Sequence, residues 1–138
     1  MIDQGTGSNV VDIDESNAAR YLIDESQQRP VVIDFWADWC EPCKSFGPTF
    51  EKVSDGHSDV TFAKVDVEAE PELAQSFGVR SIPTVAILRD RVVLFNQAGA
   101  LPEGDLDNVV SQGKGVDMAA VHEEIARQQQ DGDGQGAA

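Results

Sequence analysis

The chain is short of positive charge. Ten Lys+Arg stand against 25 Asp+Glu in 138 residues, a formal net charge of -15. Phosphate contacts need clustered Lys and Arg, so the acidic balance argues against nucleic acid as a partner, and anionic membrane surfaces are disfavoured for the same reason. The excess is spread evenly: -4 over residues 1–29, -5 over 30–101 and -6 over 102–138. Long apolar runs are also missing; none approaches the roughly 18–20 residues a membrane-spanning helix needs. Met1-Ile2-Asp3-Gln4-Gly5 has neither a basic start nor an apolar stretch, so no secretory signal is predicted and a cytoplasmic location is expected. Cysteine is scarce, and two in a chain of this length build no disulfide scaffold. What is present suffices for a core. A hydrophobic fraction of 41% argues against general disorder, and the length suits one domain.

The two cysteines are placed as Cys40-Glu41-Pro42-Cys43. Zinc would need further ligands, and the only other soft candidates, His57 and His122, share no ligand spacing with the pair. A permanent bridge over so short a loop would constrain the unfolded chain little. The spacing favours a redox pair: two thiols one helical turn apart, alternating between dithiol and disulfide.

Along the chain, residues 1–9 read as a loose leader and Val10–Ile13 as a short strand. Asp14 or Ser16 can cap a helix to about Ser26, with Ala18, Ala19, Leu22 and Ile23 at helical spacing. Val31–Trp36 is apolar almost throughout, as a strand covered on both faces should be. A helix is predicted from Cys40–Cys43 to about Val53, interrupted by Gly47-Pro48. Val60–Asp66 alternates like a strand, and Pro71 opens a short helix to Phe77. Thr84–Leu88 and Val92–Phe95 flank Arg89-Asp90-Arg91 as a hairpin. Helices are predicted over Pro102–Val110 and from Asp117 to about Gln129, with a disordered tail over 130–138. This order gives an α/β sandwich with helices on both faces and the cysteines where a central strand meets a helix, the end of an open sheet where chemistry gathers.

At this point the residues resemble the thioredoxin family. The resemblance rests on Val32–Lys44 with its Trp39-Cys40-Glu41-Pro42-Cys43, on Ala63–Val67, on Val79–Thr84 with Ile82-Pro83-Thr84, and on Ala98-Gly99-Ala100. It implies a thioredoxin fold, a central mixed sheet with helices on both faces, over residues 10–112, followed by an extra helix over 113–129. It also implies the activity: thiol–disulfide exchange with client proteins, Cys40 attacking and Cys43 resolving. Cys40 would sit at a helix start, where free N–H groups and the dipole favour a thiolate. Asp34, inside an apolar strand, would be buried, with its pKa raised by desolvation, and would act as the base that deprotonates Cys43. Lys64 matches the family lysine near that carboxylate. Pro83 is expected to be cis and to face the cysteines, leaving Ile82 backbone free to pair with an extended substrate. Trp39, Pro42, Val67, Ile82, Gly99 and Ala100 would form the docking surface around Cys40. Trp36, Phe35, Phe46, Phe62 and Phe77 are expected in the core, and His57 and His122 at the surface or at helix ends.

The resemblance further implies no bound cofactor or metal, electrons from NADPH through a thioredoxin reductase, oxidised client proteins as the other partners, and a monomer. Rival readings are an oxidising or isomerising relative, and a binding or holdase subunit with vestigial thiols. Three departures from the family pattern stand out. Glu41 occupies a usual glycine position, Arg89-Asp90-Arg91 replaces a glycine-containing turn and is expected to affect hairpin geometry alone, and the last helix lies beyond the usual domain end. Its Met118, Val121, His122 and Ile125 share one face, expected to pack on the domain.

Overall fold

A computed structural model of the chain describes the backbone of residues 9–137 and the side chains of residues 9–130. The strands are β1 (Val10–Asp12), β2 (Val31–Trp36), β3 (Thr61–Asp66), β4 (Thr84–Arg89) and β5 (Val92–Ala98). They form one mixed sheet in the order β1-β3-β2-β4-β5. β1 and β2 flank β3 in parallel, whereas β4 runs antiparallel to both β2 and β5. The helices are α1 (Glu41–Asp55), α2 (Pro71–Ser76), α3 (Glu103–Lys114) and α4 (Met118–Ala137).

Alternation along β2 assigns the two layers. Val32 packs with Phe46 and Phe50 of α1 and with Leu106 and Val110 of α3. Val31, Ile33 and Phe35 face the other way, against Ala74 of α2 and the partly buried Ala18 and Leu22. Both faces of β2 are thus covered, which is why its sequence lacks polar alternation everywhere except at Asp34. At about 1.5–3 kcal/mol per buried large side chain, these two layers hold the sheet rigid beneath the cysteines.

Several expected boundaries move. Asp14 does receive the amides of Ser16 and Asn17. The segment it opens is not one regular helix, however: Arg20–Asp24 is a π-helical turn and Glu25–Gln27 is 3₁₀. α1 is not interrupted; it runs through Gly47 and Pro48 to Asp55. A proline lacks its own N–H but leaves the remaining ladder intact when flanking packing holds it, here Phe46 and Phe50. β5 extends three residues past Phe95, because its pairing with β4 continues to Thr84 opposite Ala98. α3 continues to Lys114, through the boundary expected at 112/113, with Gly113 buried against Ile87. α4 does not stop near Gln129; its backbone continues to Ala137 across the expected tail. That stretch has no proline, and a glycine lowers helix propensity without removing a backbone donor. The leader expected over residues 1–9, apart from Asn9, lies outside the described residues, as does Ala138.

The hairpin does more than set its own geometry. Asp90 and Arg91 take left-handed conformations, φ 50° and 64°, without glycine. The Asp90 amide donates to the Ser26 carbonyl and the Arg91 amide to the Ser26 hydroxyl, anchoring the turn. Arg89 donates to the carbonyls of Gly113, Lys114 and Val116, so it closes the end of α3 and fixes the turn into α4. Asp90 pairs with His122 of α4 at 3.2 Å. Two of the departures seen in the sequence are therefore one device: the altered hairpin holds the added helix. Met118 is buried and Val121 and Ile125 are half-buried, while His122 on the same side is exposed.

Candidate active site

Cys40 is the N-cap of α1, with extended backbone (φ -92°, ψ 106°), and Glu41 and Pro42 form the first helical positions. Proline suits that place, since its missing N–H would have no helical partner there. The cap is made by sulfur: the Cys43 amide donates to Cys40 Sγ at 3.2 Å. A donor and the positive end of a 15-residue helix both favour negative charge on that sulfur. Cys40 and Cys43 are joined as a disulfide, Cα atoms 5.2 Å apart, so the structure shows the oxidised state. In it both residues are nearly covered, at 4% and 3% exposure, so exposure does not tell attacker from resolver. Ala37, Trp36, Val67 and Ile82 surround them.

The Ile82–Pro83 bond is cis. Cys40 Sγ lies 3.8 Å from the Ile82 carbonyl oxygen, an acceptor that a reduced thiol could use. Thr84 Oγ1 donates to the Ser81 carbonyl at 2.6 Å, and the Gly99 amide to the Pro83 carbonyl at 2.7 Å. These bonds lock the 81–84 turn to the end of β5. Beside it runs an open groove of about 390 Å³ lined by Trp39, Val67, Ala74, Val79, Arg80, Ser81 and Ile82. Trp39 is 65% exposed, a large indole left in water at the mouth of the groove. Such surface marks binding more often than packing.

Asp34 is fully buried, and neither carboxylate oxygen has a hydrogen-bond partner among the described residues. Desolvation pushes its pKa up to about 7, while the charge of Lys64 pulls it down. The two residues are register partners on parallel strands. The group thus changes protonation near neutrality, as a proton acceptor must. An unsatisfied buried carboxylate costs stability and calls for a functional explanation.

The expected docking residues do not all meet. Trp39, Val67 and Ile82 line the groove; Gly99 is exposed, bonded to Pro83 and not in the lining; Pro42 is exposed at the start of α1, and Ala100 is exposed beyond β5 and lines no part of it. Ala74, Val79, Arg80 and Ser81 are lining residues that were missed, although Val79-Arg80-Ser81 lies inside a stretch already singled out. Trp36, expected in the core, is half-buried and touches the disulfide cluster. His57 stands at a helix end, as expected, but not at the surface. It follows the end of α1 but is 6% exposed, its Nε2 held by Asp107 of α3 at 2.7 Å. A larger recess of about 700 Å³, edged by Glu15, Glu70 and Glu72, lies elsewhere and contains no thiol. Among the described residues no cluster of His, Cys, Asp and Glu is arranged to hold a metal, and no helix is long and apolar enough to cross a membrane.

A mixed five-stranded sheet with a cysteine pair capping the helix after its central strand, facing a cis-proline turn, defines a dithiol–disulfide oxidoreductase. The family model described as Thioredoxin matches residues 9–112. "Putative thioredoxin 2" of Streptomyces coelicolor is 54% identical over 99 residues, covering 72% of this chain and 74% of that protein. "Thioredoxin C-3" of Corynebacterium nephridii is 36% identical over 102 residues, 74% of this chain and 69% of the relative. A Fasciola hepatica thioredoxin structure superposes with a TM-score of 0.69 at 31% identity, covering 75% of this chain and 99% of its own. The chain belongs to the thioredoxin family, and the reading as a thiol-disulfide oxidoreductase prevails over that of a binding subunit with vestigial thiols.

Proposed function

We propose that the protein is a reductase of client disulfides. The observation that carries this reading is the pairing of a sulfur N-cap at Cys40 with a buried, unpartnered Asp34 whose pKa is about 7. In the reduced protein, the Cys40 thiolate attacks one sulfur of a client disulfide. A bond forms between Cys40 and that sulfur, and the second client sulfur leaves as a thiolate and takes a proton. Asp34 accepts the proton of the Cys43 thiol, and the Cys43 thiolate attacks Cys40 Sγ. The mixed disulfide breaks, the first client sulfur leaves as a thiolate and takes a proton, which returns Asp34 to its carboxylate when Asp34 supplies it, and the Cys40–Cys43 disulfide remains. Two electrons have passed to the client.

Trp39, Val67 and Ile82 dock an extended client segment, with Gly99 and Pro83 as backbone support and Pro42 and Ala100 at its rim, while Lys64 acts on the Asp34 carboxyl. The dithiol is restored by NADPH through a thioredoxin reductase. The protein works as a monomer, with no bound cofactor, in a reducing compartment such as the cytoplasm. The test supplies NADPH, a bacterial thioredoxin reductase and insulin as disulfide substrate. NADPH oxidation that depends on the protein is expected. No turnover, together with net oxidation of a reduced substrate in a glutathione buffer, would overturn the reductase direction.

A further inference from the structure

The charge that faces Asp34 is not free to wander. Lys64 Nζ lies 4.7 Å from the centroid of the Trp36 ring. A Cβ added to Gly47 of α1 would lie 3.8 Å from the same nitrogen, so the ammonium lies against the indole and against a stretch of helix with no side chain. Trp36 is two residues beyond Asp34 on β2 and hence on the same face of the sheet, where Lys64 is Asp34's register partner. The indole also packs against the Cys40–Cys43 cluster. One side chain therefore touches the disulfide and the cation that acts on the buried carboxyl.

We propose that Trp36 is a positioning residue: its ring holds the Lys64 ammonium in the Gly47 gap beside Asp34, so that the cation's field at the carboxyl is fixed. The proposal rests on the reading of Asp34 as proton acceptor only for its catalytic consequence. A ring quadrupole attracts a cation without consuming a carboxylate oxygen. The carboxyl keeps its lone pairs for the Cys43 proton, which a direct ion pair would occupy. The other charged groups on this face are few. Asp12 of β1 is the register neighbour of Lys64 on its far side, and Asp66 of β3 is that of Trp36. Val85 of β4 lies opposite Asp34, Leu106 and Val110 of α3 are apolar, and α1 adds Cys43 once reduced. On the same layer His57 lies by Phe62 and pairs with Asp107 of α3; among the described residues, Lys64 is the charge that acts on Asp34.

The test follows the Asp34 carboxyl carbon by NMR against pH in the full oxidised chain, for the parent, Trp36→Phe, Trp36→Leu and Trp36→Leu in a Lys64→Met background. Release of the ammonium to water should raise the Asp34 midpoint in Trp36→Leu by on the order of half a unit. Trp36→Phe, which keeps an aromatic face, should shift it less, and the Lys64→Met background should abolish the shift. A purely structural loosening would admit water and lower the midpoint, with or without Lys64. A fall, no change, or an equal rise in the Lys64→Met background would each overturn the proposal. Should Trp36→Leu not fold, Trp36→Phe decides by the sign of its shift. The pH profile of insulin reduction driven by dithiothreitol should move in parallel with the midpoint. If the midpoint moves and that profile does not, the positioning stands and the role of Asp34 as proton acceptor fails.

Discussion

The two ends of the β4 strand show opposite uses of polar groups. At Thr84 the strand emerges from the cis-proline turn beside a disulfide, an unpartnered buried carboxylate and an indole that is 65% exposed. At Arg89 it enters a clamp in which one guanidinium serves three carbonyls and the next residue pairs with a histidine on the added helix. The first end leaves groups unsatisfied and apolar surface wet; the second satisfies donor and acceptor alike. Stability and chemistry are therefore located apart on one strand, about five residues from each other along a rigid sheet.

The largest way to sharpen that contrast is Asp34→Asn. The folded carboxyl titrates near 7, against about 3.8 for a free aspartate. The folded state therefore binds the proton more tightly than the unfolded state. Its cost accrues as pH rises between about 4 and 7 and levels off above. At about 1.4 kcal/mol per unit, the substitution should stabilise the fold by up to about 4 kcal/mol at pH 8 and by almost nothing below pH 4. Urea unfolding at both pH values measures it. The same variant should slow resolution of the mixed disulfide most near neutrality.

Arg89→Met should act in the reverse sense. Losing a charge-assisted bond set to the α3 terminus should cost about 1.5–3 kcal/mol. Amide exchange should quicken in the last turn of α3 and the first of α4, while the rate of insulin reduction stays within about twofold. A large loss of activity would break the separation between the two ends.

The smallest effect belongs to Glu41→Gly. Glu41 is exposed and 3.4 Å from Lys44, so its charge is partly offset before it reaches Cys40. Removing it should favour the Cys40 thiolate and make the potential more oxidising by no more than about 20 mV, less at high salt. Equilibration with glutathione at two ionic strengths checks the sign.

How far each end was legible in the sequence follows the same division. The site is written in short contiguous stretches: an apolar strand with one acid, a cysteine pair with proline inside it, and Ile82-Pro83-Thr84. Local rules of strand and N-cap place the first two; the turn at Ile82-Pro83-Thr84 is placed opposite the cysteines by the family resemblance, since a lone X-Pro bond is seldom cis. The groove was only partly legible, because Ala74 comes from a different element and Ala100 points to nothing in the lining. The clamp was illegible. Arg89 meets partners 24 to 27 residues away, and His57 is buried by Asp107, 50 residues on. Nothing local in a histidine or an arginine announces such a partner. Helix lengths were underestimated for a related reason: α1 survives Pro48 because tertiary packing on both of its flanking phenylalanines overrides propensity.

Whether Cys40 attacks and Cys43 resolves is read out by trapping. Reduced Cys43→Ser and Cys40→Ser variants are each mixed with an oxidised protein substrate, and covalent adducts are quantified by intact-mass spectrometry. Cys43→Ser should accumulate a mixed disulfide through Cys40 that persists until a reductant is added, whereas Cys40→Ser should trap almost none. Equal trapping by both variants, or trapping through Cys43 alone, would reverse the assignment of attacker and resolver.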